Sequence, residues 1–89
     1  MTKLAETIAR HLRDEKTEIL SELETKGECY TAINLFYEEG EVLITLLMSE
    51  DEIENSVKEA VDEVFAGKNV IDIFISQSKE IISFTIITT

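Results

Sequence analysis

"INLFYEEGEVLITLLM" (33–48) and "IDIFISQSKEIISFTI" (71–86) are equal in length, and each alternates apolar with more polar residues on both sides of a central turn. Period-two alternation in β-branched and aromatic residues marks strands, because successive side chains of an extended chain point to opposite faces. Four strands are predicted. Over 31–37, Ile33, Leu35 and Tyr37 oppose Asn34 and Phe36; over 42–48, Val42, Ile44, Leu46 and Met48 oppose Leu43, Thr45 and Leu47. Over 70–76, Ile71, Ile73 and Ile75 oppose Val70, Asp72 and Phe74; over 81–87, Ile82, Phe84 and Ile86 oppose Ile81, Ser83, Thr85 and Ile87. "EEGE" (38–41) reads as a tight hairpin turn with Gly40 at its left-handed position, and "SQSKE" (76–80) as its polar counterpart.

Outside the hairpins the period changes to 3.6. Residues 3–26 place Leu4, Ile8, Leu12, Ile19 and Leu23 on one stripe with Leu20 beside it, and Gly27 supplies a stop. The stripe is interrupted over 13–18, "RDEKTE", and a straight helix of this length would run to about 36 Å, longer than the strands. Either the helix breaks near 13–15 or its first half projects past the sheet; projection is the favoured expectation, with Leu4, Ile8 and Leu12 meeting a partner chain. The second helix is announced by Ser49 and Glu52, a capping-box pair, and Glu50 and Asp51 join Glu52 where the positive end of the helix dipole favours anions. Ile53, Val57, Ala60, Val61, Val64 and Phe65 form its apolar stripe, and Gly67 closes it.

The two hairpins superpose at an offset of 38, with Ile33/Ile71, Phe36/Phe74 and Ile44/Ile82 identical. Each follows a helix and a glycine. The chain therefore reads as one domain, 1–89, built of repeat-like halves 3–49 and 50–89 in the order αββαββ. Two helices on one face of a four-stranded antiparallel sheet would bury the most apolar surface. The uncharged stretch 81–89 suits a central strand. The resulting strand order, 1-2-4-3, is by analogy a circular permutation of the ferredoxin-like arrangement, which carries no function with it.

Composition narrows the function. The 89 residues are 44% hydrophobic and 30% charged, with no proline and three glycines, so neither a disordered tail nor a flexible linker is expected. Net charge is −11 and unevenly placed: residues 28–63 hold eleven acids and one base, Lys58. Phosphate binding needs clustered Lys and Arg, so nucleic acid and anionic membranes are disfavoured as direct partners. The opening residues lack the apolar run of a secretion signal, and no stretch approaches the ~20 apolar residues of a membrane helix. A cytoplasmic protein is expected, with the one cysteine, Cys29, as a half-buried structural thiol.

Catalytic chemistry has no foothold in the sequence. There is no nucleophile elbow, no glycine-rich phosphate loop, and no second histidine beside His11. The acids of "YEEGE" and "SEDEIE" do not follow the alternating oxygen ligands of a calcium loop. No catalytic residue, metal ligand or cofactor is expected. Two surfaces remain. Glu38, Glu39, Glu54, Glu59, Asp62 and Glu63 define an acidic surface suited to a basic partner protein, in the extreme form by imitating nucleic-acid charge. Phe36, Leu43, Leu47, Val70, Phe74, Ile81 and Ile87 fall on the sheet face away from the helices, where Asn34, Thr45, Asp72, Ser83 and Thr85 dilute them. A monomer rarely leaves so apolar a face open, and burying it in a β-sandwich between two copies is the expectation. The leading reading is a non-enzymatic, acidic homodimer acting as adaptor, chaperone or inhibitor. The alternative is a regulatory module that senses a small molecule at the dimer interface.

Overall fold

The computed structural model describes residues 1–36, 48–78 and 81–89. They form an α+β fold of three helices and a three-stranded antiparallel sheet: α1 Lys3–Asp14, α2 Lys16–Lys26, β1 Cys29–Phe36, α3 Glu50–Val64, β2 Val70–Gln77 and β3 Ile81–Thr88.

The first helical segment is not one projecting rod. It breaks at Glu15, whose backbone (φ −106°, ψ 11°) leaves the helical region, and restarts at once as α2. The interruption in the apolar stripe lies at this joint, where the chain is exposed on both sides. Bending there lets each half find its own apolar neighbour: α1 packs on α3, and α2 lies over β1. Leu4, Ile8 and Leu12 are consequently buried in the chain's own core, so they do not await a partner. Thr2 caps α1 by accepting the Ala5 N–H at 3.0 Å and shares a 2.8 Å hydrogen bond with the buried Ser56 hydroxyl of α3. Gly27 ends α2 at φ +77°, its N–H donating to the Leu23 carbonyl at 3.0 Å.

The expected second helix is present as α3. Its N-cap Ser49 accepts the Glu52 N–H at 3.2 Å and donates its own hydroxyl to the Glu52 carboxylate at 3.1 Å. All six residues of its predicted stripe, Ile53 through Phe65, are buried.

The sheet corrects the four-stranded expectation. Its order is β1-β3-β2, with β1 hydrogen-bonded directly to β3 along the whole register from Cys29↔Thr88 to Phe36↔Ile81. The 1-2-4-3 order required the 42–48 strand between these two, so the permuted ferredoxin-like arrangement is overturned. That expected strand, apart from Met48, and the 38–41 turn lie outside the described residues; Met48 packs against the core just before α3. Alternation identifies a strand without naming its neighbour, and the assumption that successive strands pair misled the order here. The uncharged 81–88 segment is the central strand as expected, since a strand paired on both edges is best built without charge.

Register also corrects one face. Between Val70 and Asp72 the β2–β3 ladder slips, with Val70 opposite Thr88 and Asp72 opposite Ile87, so Ile71 is the extra residue of a bulge. Val70 therefore joins Ile73 and Ile75 against the core, and Ile71 is turned out. The Asp72 carboxylate accepts the Ile73 N–H at 2.9 Å beside the bulge. Strict alternation had put Val70 outside and Ile71 inside.

Candidate functional site

The helices cover one side of the sheet. Cys29, Thr31, Ile33 and Leu35 of β1 and Ile82, Phe84, Ile86 and Thr88 of β3 are buried beneath them. Among the described residues no element covers the other side, and the register sorts its residues into rows across the three strands. Tyr30, Ile87 and Asp72 form one row; Ala32, Thr85 and Phe74 the next; Asn34, Ser83 and Ser76 the third. Phe36 and Ile81 form the last, where Ser78 donates its N–H to the Ile81 carbonyl at 2.9 Å.

Among the proposed seam residues, Phe36 and Phe74 are well exposed on this face, at 46% and 55%, and Ile81 and Ile87 are half-buried between their neighbouring strands. Leu43 and Leu47 lie outside the described residues. The structure adds Tyr30, 63% exposed, and the bulged Ile71, 57% exposed. Tyr30 escaped sequence reading because β1 begins at Cys29, two residues before the alternation was taken to start; the polar–apolar rhythm of "CYTAINLF" carries the signal once Cys29 is counted as apolar. The middle of the face is polar, with the Ser83 hydroxyl donating to Asn34 Oδ1 at 2.6 Å. Apolar ends around a polar centre make a surface that tolerates water yet has much to gain from cover.

The acidic surface lies on α3. Glu59, Asp62 and Glu63 are exposed along it, and Glu54 is half-buried. Glu38 and Glu39 lie outside the described residues, so the structure brings together four of the six acids. Glu63 is engaged: Arg13 Nη2 of α1 approaches its Oε1 at 3.9 Å, both side chains more than half exposed. Such a pair is worth about 0–1 kcal/mol and leaves most of the ridge's field in place. Between α3 and the β2 edge runs an open hollow of about 660 Å³, into which Lys58 and Lys68 reach beside Glu59, Asp62, Asn55 and Asn69. Its lining holds no Ser, Cys or His.

Cys29 is buried, more than the half-buried thiol expected. Its Sγ donates to Glu22 Oε2 at 3.1 Å and lies 3.6 Å from the Thr31 hydroxyl. Burial first, then the neighbouring Glu22 carboxylate, pushes the thiol's pKa up, opposed by the Thr31 hydrogen bond. A thiol so placed is held protonated, which is the opposite of nucleophile activation. Among the described residues no three His, Cys, Asp or Glu side chains gather as a metal site would need, and no helix is long and apolar enough to cross a membrane. No family model, curated protein or solved structure matches the chain.

Proposed function

We propose that the chain is a non-enzymatic protein-interaction module, homodimeric through its open sheet face, that holds a basic partner protein by the acidic ridge of α3. The observation that supports this most is the segregation of charge. Exposed acids stand on α3, whereas the opposite face of the described sheet carries a single charged residue, Asp72. A ridge of one sign steers an oppositely charged partner and raises its association rate, an effect that salt screens within about 8 Å at physiological ionic strength.

The test is binding of a basic partner at low and high salt, by the native chain and by a chain carrying Glu54→Gln, Glu59→Gln, Asp62→Asn and Glu63→Gln. The expected result is retention at about 50 mM salt that is lost near 500 mM, and lost at both in the substituted chain, because screening shortens the reach of the ridge. Far-ultraviolet circular dichroism should be unchanged, since these side chains lie outside the core. Partners retained equally by both chains at both salts would refute the reading.

A further inference from the structure

Resting on the dimeric reading above, we infer that the second copy of this chain sits face to face on the open sheet with the two-fold axis running along β3, so that β1 of one copy lies over β2 of the other. Charge selects the occupant. Each copy carries −11, and a basic partner is drawn to the helical side. A second acidic copy is repelled everywhere except at a face that lacks charge, and among the described strands that face has only Asp72, at the β2 edge. Stacked sheets lie about 10 Å apart, which leaves the two helical layers ~30 Å from one another, several Debye lengths at physiological salt. Both acidic ridges then point outward, and each dimer presents two.

Side-chain size selects the axis. In the row Ala32–Thr85–Phe74 the small residue is on β1 and the large one on β2; in Asn34–Ser83–Ser76 the larger is on β1. Rotation about an axis along β3 exchanges the two edges, placing Phe74 over the partner's Ala32 and Asn34 over the partner's Ser76. An axis across the strands would instead stack Tyr30 on the partner's Phe36 and Ala32 on the partner's Asn34 along the β1 edge, and Phe74 on the partner's Ser76 along the β2 edge, so the outermost bulk would gather on the β1 side. Aligned sheets cross at about 30°, which offsets the outer rows by roughly one strand spacing but leaves these two central rows nearly in register.

Size argues for modest affinity. Three strands ~4.8 Å apart, each eight residues at ~3.3 Å, outline a patch of about 380 Å², so the dimer formed by the described strands alone is expected to be weak.

The experiment is sedimentation equilibrium over a concentration series on four chains: native, Ala32→Phe, Phe74→Ala, and the double variant, each checked for native helix content. Either single change should weaken the dimer by about tenfold or more, through a clash or a void, and the double change should return it to within about threefold of native. The same logic applies to Asn34→Lys, Ser76→Glu and their combination, which leave the apolar residues untouched. A double variant weaker than both singles in the two sets would overturn the arrangement. A dimer indifferent to every variant would place the seam elsewhere. A native chain that stays monomeric would overturn this inference and the dimeric half of the proposed function together, while the salt-dependent partner assay would still decide the acidic ridge on its own.

Discussion

Phe84 is the residue on which the core converges. It is fully buried at the centre of β3, opposite Ile33 on one side and Ile75 on the other. Phe84→Ala should cost about 3–5 kcal/mol. A chain of this length holds roughly 4–13 kcal/mol in all, so the variant should lose a large share of its stability. A urea titration checks this, and a loss below about 1.5 kcal/mol would show that the ring is not enclosed as described. Cys29 gives a pH-dependent signature. Folding raises its pKa, so the unfolded chain loses this proton first, and the stabilising contribution present at neutral pH fades as pH climbs past the unfolded thiol value near 8.5. The margin of native over Cys29→Ala in the same titration should narrow steadily as pH rises through and beyond that value. A margin constant over that rise would mean that burial does not perturb the thiol.

At the scale of the element, the β2 bulge is the feature with the clearest consequence. Removing Ile71 leaves Val70 inward, Asp72 outward and Ile73 inward, a regular alternation that fits β3 without the slip. Deleting Ile71 should therefore cost less than about 1 kcal/mol, whereas deleting a core isoleucine such as Ile73 would reverse the facing of what precedes it and cost several times more. Thermal melts of the two deletions decide it; equal losses would contradict the bulge. Sequence periodicity carried much at this scale. The α3 stripe, its Ser49–Glu52 cap and the inward set of β3 were legible, because burial writes itself as spacing. The bulge at Ile71 and the direct β1–β3 pairing were not, and the joint at Glu15 was legible only as the less favoured of two readings. A one-residue slip inverts a face without altering composition, a helix break is set by where its two halves find contacts, and strand adjacency depends on which edges are free. The acids of α3 were legible as a group for the same reason as its stripe, since they occupy the complementary positions of one helix. Tyr30 was not, because it belongs to the first turn of alternation after a glycine stop.

At the scale of the whole molecule two surfaces make opposite demands: a sheet face with one charged residue among those described, Asp72, which we propose a second copy covers, and an acidic helical side which we propose holds a basic partner. Salt separates them. Screening should weaken the partner complex, yet it should leave self-association unchanged or strengthen it, since the net electrostatic term between two copies of charge −11 is repulsion. Phe74→Asp, which sets a carboxylate near the centre of the open face, should keep the fold and give monomers. The most direct measurement is sedimentation equilibrium of the native chain at about 50 and about 500 mM salt, with Phe74→Asp run beside it, a range over which the screening length falls severalfold. The account predicts a native dimer as strong or stronger at the higher salt, and a monomeric variant at both. A native dimer that dissociates as salt rises, or a variant that dimerises like the native chain, would contradict it.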